Sequence, residues 1–167
     1  IRTGNVRSMV LWGPPGTGKT TIAKIMSKKI GKKSYDLNAT TDGVKELRKI
    51  LDVCEDGSVI VVDEIHRWSK NVQDVLLPHI ESSKIIFIGM TVENAKFGVN
   101  KALLSRCMVQ ETVPINRDSL VTLYKKAKQY FKDRGVDVAI DKNIAATLIV
   151  RSNGDARKLI ACMDTLV

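Results

Sequence analysis

With 167 residues, 44% of them hydrophobic, the chain is long enough for one compact domain, or for a domain carrying a small appendage. Lysine and arginine exceed aspartate and glutamate by 27 to 18, a net charge of +9, which favours an acidic partner such as nucleic acid. No apolar run approaches a membrane-spanning length, and no secretory signal is visible at the start.

In chain order, the first residue is Ile1 rather than Met and a glycine loop follows early, so a fragment lacking its natural N-terminus is expected. Met9-Val10-Leu11-Trp12 reads as a buried strand. It enters Gly13-Pro14-Pro15-Gly16-Thr17-Gly18-Lys19-Thr20, which fits G-x-x-x-x-G-K-[ST], followed by Thr21. Ile22, Ile25, Met26 and Ile30 then set a helical period. Strand, glycine loop and helix form the setting of a triphosphate-binding loop: backbone N–H groups and a helix N-terminus face the phosphates. Lys19 would reach the β- and γ-phosphates, and Thr20 would ligate Mg²⁺.

Ser34–Asn38 reads as a short strand and Val44–Cys54 as a helix with Val44, Leu47, Ile50, Leu51 and Cys54 on one face. Val59-Ile60-Val61-Val62-Asp63 is continuously apolar and β-branched until its end, the pattern of a central parallel strand. A helix from Asn71 to Ile80, a strand Ile85–Gly89 and a short strand Met108–Glu111 follow. This alternation predicts an α/β fold with a doubly wound parallel sheet, whose ligands bind beyond the strand carboxyl ends. The character changes at Pro114, and helices are expected over Arg117–Arg134, Lys142–Ser152 and Asp155–Leu166. The reading is an α/β base over 1–114 and a small all-helical lid over 115–167, hinged at Pro114-Ile115-Asn116.

Candidate chemistry gathers at strand ends. Asp63 would hold Mg²⁺ through water, and Glu64 would act as general base on the attacking water. Thr91, expected just after its strand, would hold that water or sense the γ-phosphate, with Asn94 as the competing candidate. Arg106 reads either as a finger stabilising transition-state charge or as a surface salt-bridge residue. Arg157 lies at a helix start, where the dipole disfavours a cation, so an acidic group is expected near it. The cluster Lys24, Lys28, Lys29, Lys32 and Lys33 reads either as a DNA-facing patch or as a solvated helix face. Cys54, Cys107 and Cys162 are widely spaced and odd in number, which argues against a disulfide framework and for a reduced, intracellular setting. His66 and His79 have no cysteine nearby, and no zinc site is expected.

Taken together, these stretches resemble the AAA+ ATPases, and most narrowly the replication-associated recombination protein A family, which includes the Werner-helicase-interacting ATPase. The likeness runs through the Gly13–Thr21 loop, Val62-Asp63-Glu64-Ile65-His66-Arg67-Trp68, Leu76-Leu77-Pro78-His79-Ile80-Glu81, Gly89-Met90-Thr91-Val92-Glu93-Asn94, Leu103-Leu104-Ser105-Arg106 and Gly154-Asp155-Ala156-Arg157. The resemblance implies an ATPase core of Lys19, Thr20, Asp63 and Glu64, with Thr91 as sensor 1. It makes Arg106 a finger for the neighbouring subunit's site and Arg157 sensor 2. It further implies a homo-oligomer, DNA-stimulated ATP hydrolysis at stalled or damaged forks, forked or single-stranded DNA ends as partner, and links to single-strand-binding protein or replisome partners. Location would be cytoplasmic, at the nucleoid, in a bacterium, or nuclear in a eukaryote. Met90, Val92 and Ala95 stand where the family usually has Ala, Thr and Pro, and Trp68 replaces a common Phe. The Holliday-junction branch-migration motor and a clamp-loader subunit share the same fold, and the motor also shares the D-E-I-H-R motif. A nucleotide-gated binding module with negligible turnover, or a protein-remodelling ATPase, would be readings of another class.

Overall fold

A computed structural model describes residues 7–135 and 141–166. Five strands, β1 (Met9–Trp12), β2 (Ser34–Asn38), β3 (Ser58–Asp63), β4 (Ile85–Thr91) and β5 (Met108–Glu111), form one sheet in the order β2-β3-β4-β1-β5. Every neighbouring pair is parallel. The register sets Trp12 opposite Thr91 and Asn38 opposite Asp63, so the carboxyl ends align along one edge.

Both faces of the sheet are covered. On one face, Met9, Leu11, Val59, Val61, Ile88 and Met90 pack against Ala23 and Met26 of α1 (Lys19–Ile30). On the other, Val10, Ile60, Val62 and Phe87 meet Leu47 and Leu51 of α2 (Val44–Val53) together with Leu76, Ile80 and Leu103. This two-sided burial is why β3 is apolar without alternation.

The remaining helices of this region are short: α3 (Lys70–Asp74), α4 (Leu77–Glu81), α5 (Ala95–Gly98) and α6 (Lys101–Leu104). The single helix expected over 71–80 is two, broken at Val75–Leu76. Pro78 lies in the first turn of α4, and lacking an N–H it cannot continue the ladder of α3. The helix expected after the loop is α1, but its apolar period does not coincide with its buried face. Ile22 and Ile25 are 38% and 50% exposed, and Ala23 faces the sheet instead.

Gln73 is wholly buried. Its amide donates to the carbonyls of Ile65 (3.3 Å), Trp68 (2.9 Å) and Gly98 (3.2 Å), while its Oε1 accepts the Asn100 N–H (2.8 Å). One side chain thus ties the turn after β3 to the segment after β4. Gln73→Leu should strand these groups at a cost of about 3 kcal/mol. The thermal unfolding midpoint should fall by roughly 6–12 °C, and an unchanged midpoint would contradict the role.

The chain divides into two compact units. One runs to Gly13 and resumes over Lys19–Thr112; the other joins Pro14–Gly18 to Val113–Val167. In the second, α7 (Arg117–Asp133), α8 (Lys142–Ser152) and α9 (Ala156–Asp164) pack Leu120, Tyr124, Ile149, Leu159 and Met163 into a separate core. The Ile115 N–H donates to the Gly154 carbonyl at 2.9 Å, which anchors the Pro114–Asn116 segment to the turn between α8 and α9. Among the described residues, no helix is long and apolar enough to cross a membrane. Cys54, Cys107 and Cys162 are free thiols, and burial raises the pKa of Cys107 to about 12.

Candidate nucleotide site

The site grows from the carboxyl edge of the sheet. After β1, the Gly13 N–H donates to the Thr91 carbonyl at 3.2 Å, which joins the loop entrance to the end of β4. Lys19 opens α1 with only 8% of its surface exposed, and its Nζ donates to the Gly13 carbonyl at 2.7 Å. The ammonium is therefore held over the loop backbone and not out in solvent.

Within the second unit, the Thr17 hydroxyl donates to the Pro14 carbonyl at 3.0 Å, and the Ala156 N–H donates to the Gly16 carbonyl at 3.1 Å. Gly18 has φ +93°, and a Cβ added there would meet nothing within 4 Å. The left-handed torsion selects glycine, and the loop's outer side is open for an anion to approach the backbone.

Thr20 and Asp63 line one cleft of about 290 Å³ together with Lys24, Asp36, Asn38 and Asp42. The Thr20 hydroxyl and the Asp63 carboxylate, lining the same cleft, are hard oxygen donors of the kind that suits Mg²⁺. Thr21, by contrast, is exposed and lines a different cleft with Lys24, Lys28 and Lys32, beside Ser34 and Asp36. Lys29 and Lys33 are also exposed, and Lys33 lies over the Tyr35 ring at 5.3 Å.

Glu64 follows Asp63 at φ 54°, ψ 39°. A left-handed torsion costs a non-glycine residue about 1–2 kcal/mol, and such strain concentrates at functional sites. The Glu64 N–H donates to Asp63 Oδ1 at 3.0 Å, and its carbonyl accepts the Arg67 N–H at 2.8 Å. The turn drops the chain from the strand into the 3-10 helix Ile65–Arg67.

Thr91 is the last residue of β4, not the residue after it, and is 1% exposed. Its Oγ1 accepts the Glu93 N–H at 3.0 Å and lies 2.9 Å from His66 Nδ1. Asn94, the competing candidate, is exposed and caps α5 by accepting the Lys96 N–H at 3.0 Å.

Arg106 is exposed. Its guanidinium pairs with Glu81, and Nη1 donates to the Ala102 carbonyl at 2.8 Å. It lines a cleft with Ser8, Gly57 and Ile85, residues at the amino-terminal edge of the sheet. The seven residues of β4 separate that edge from Thr91 by about 20 Å, farther than an arginine side chain spans. Arg157, also exposed, is the second residue of α9. Asp155, the N-cap of α9, spends its Oδ1 on the Lys158 N–H at 3.0 Å.

No local pattern marks His66, although it stands in the D-E-I-H-R stretch, or Gln73, whose partners are distant along the chain. A polar residue among Val72, Val75 and Leu76 was the only local sign of Gln73.

Comparison with known proteins identifies the family. Residues 9–115 match the family described as ATPase family associated with various cellular activities (AAA). Over its whole length the chain is 37% identical to Replication-associated recombination protein A of Haemophilus influenzae, and over 96% of its length it is 38% identical to ATPase WRNIP1 of Dictyostelium discoideum. It spans 39% of the first protein's length and 19% of the second's. The resemblance drawn from the motifs is thereby borne out. A solved structure described as the Thermotoga maritima RuvB Holliday junction branch migration motor superposes with a TM-score of 0.82 at 26% identity, covering 98% of this chain and 55% of that one. With its phosphate-loop motif, parallel sheet and strand-end carboxylates inside the matched region, the chain belongs to the AAA family of ATPases.

Proposed function

We propose that this chain is the ATP-hydrolysing module of a protein that maintains DNA replication and recombination. The observation that carries the reading is the gathering of Thr20 and Asp63 in one cleft, with Glu64 immediately after Asp63 in a strained turn. In this reading the loop amides and Lys19 bind the triphosphate, while Thr20 and, through water, Asp63 hold Mg²⁺. The metal, when bound, neutralises charge on the phosphates. Glu64 takes a proton from the attacking water, and Thr91 orients that water or the γ-phosphate. Arg157 contributes from the start of α9. Arg106 serves a neighbouring copy, because its place at the opposite sheet edge from Asp63 and Thr91 favours action in trans over action in cis. A homo-oligomer follows from that division of labour.

Lys19→Ala should weaken ATP binding by roughly 10- to 100-fold, the worth of one charge-assisted contact. Titration with a fluorescent ATP analogue checks this, and unaltered affinity would remove Lys19 from the site.

The proposed partner is DNA, in keeping with the replication and recombination that the name of one relative states, and the forms proposed are forked or single-stranded ends. Single-strand-binding protein and replisome components are further partners, in the cytoplasm of a bacterium or the nucleus of a eukaryote. A second reading, a branch-migration motor, is favoured by the RuvB superposition. Turnover of the full-length protein on forked, single-stranded and four-way-junction DNA separates them. Stimulation by forks or single-stranded ends supports the first, and stimulation by junctions alone supports the second. ATP binding without turnover on any DNA would instead indicate a nucleotide-gated binding module.

A further inference from the structure

The contacts around His66 link the two groups on which hydrolysis would depend. Its side chain is 5% exposed. Nδ1 lies 2.9 Å from Thr91 Oγ1 and 3.4 Å from Glu64 Oε2, while Nε2 lies 3.6 Å from Glu93 Oε1. Packing fixes the ring. A Cβ added at Gly98 would stand 2.7 Å from His66 Cβ, so α5 closes on the histidine as only a glycine allows. Gln73 secures both sides of that contact through the Ile65, Trp68 and Gly98 carbonyls.

Hydrogen accounting then bears on the tautomer. A threonine hydroxyl has one donor and two acceptor sites. One acceptor site of Thr91 already takes the Glu93 N–H. With Nδ1 bare, the Thr91 proton would turn inward to the ring, and the Glu64 carboxylate would face a lone pair. With hydrogen on Nδ1, the N–H donates to Thr91 Oγ1 and turns its positive end toward Glu64 Oε2 at 3.4 Å, bare Nε2 stays 3.6 Å from Glu93 Oε1, beyond hydrogen-bond reach, and the Thr91 proton is left to point away from the ring.

We propose that His66 is a positioning residue for hydrolysis: its Nδ1–H holds Thr91 and Glu64 together and turns the Thr91 hydroxyl proton outward, toward water or phosphate. This rests on the roles proposed above for Glu64 and Thr91.

The test uses the full-length protein and the pair His66→Asn and His66→Gln. An asparagine amide reaches the position of Nδ1, whereas a glutamine amide reaches that of Nε2. A merely structural histidine would make the two variants alike. Positioning through Nδ1 means that His66→Gln lowers kcat by about 10²-fold with ATP affinity unchanged, the scale of a small misplacement of reacting groups. His66→Asn should retain most of the rate. In a Thr91→Val background the further change to glutamine should cost no more than roughly 3-fold, since coupled residues are non-additive. Equal losses in both variants, no loss in either, or strict additivity with Thr91→Val would overturn the proposal.

A second readout does not need turnover. Solid-state ¹⁵N NMR of histidine-labelled protein, with His66→Gln identifying the signals, should show a protonated Nδ1 that shifts in Thr91→Val. A bare Nδ1, or one indifferent to Thr91, would overturn the proposal. If the wild-type protein itself releases no phosphate, that failure falls on the hydrolysis reading, and the NMR result still decides the role of His66.

Discussion

Arg106→Ala should lower ATP turnover of the assembled full-length protein by about 10³-fold or more, the contribution of an arginine finger, with ATP affinity little changed. The expectation combines two observations. Arg106 stands at the sheet edge opposite Asp63 and Thr91, so it cannot reach the pocket of its own chain. Its partner Glu81 is about half exposed, and an exposed ion pair is worth only about 0–1 kcal/mol, so the guanidinium is easily transferred to a neighbour's phosphate. Arg106→Lys should rescue poorly, because a point charge does not replace a planar fork. Mixing Arg106→Ala subunits with Glu64→Gln subunits supplies the direct check. Each has what the other lacks, and interfaces that join an intact Arg106 to an intact Glu64 should recover turnover. No recovery on mixing would place Arg106 outside the neighbour's site.

Glu64→Gln is the second large effect. Removing a general base costs about 10²–10⁴-fold, while the amide keeps the side chain's size and leaves the triphosphate contacts intact. ATP should therefore remain bound and accumulate unhydrolysed. The left-handed backbone at Glu64 sets where the carboxylate stands, so Glu64→Asp, one methylene shorter, should also lose most of the rate. Near-normal hydrolysis in Glu64→Gln would refute its assignment as base.

Much of this architecture was legible in the residues because it is written locally. The phosphate loop needs glycines with a lysine at one spacing, and a parallel strand covered on both faces needs the unbroken run Val59–Val62. What escaped the reading depends on tertiary context. Four-residue helices such as α5 and α6 are too short to show a period, and their caps, Asn94 and Asn100, were the only signals. Ile22 and Ile25 have core spacing, yet Ala23 faces the sheet, because a small residue allows α1 close approach. Arg106 reads equally as finger or surface residue from local sequence, and the sheet edge on which it stands is set by tertiary structure. Gln73 and His66 act through partners up to 27 positions away, which no window of local sequence reveals.

The most direct test of the account combines equilibrium ATP binding and phosphate release by the full-length protein in Mg²⁺, wild type beside Glu64→Gln. Retention of ATP by both proteins, with phosphate released only by the wild type, is the result expected. A wild-type protein that neither holds ATP nor liberates phosphate would contradict it.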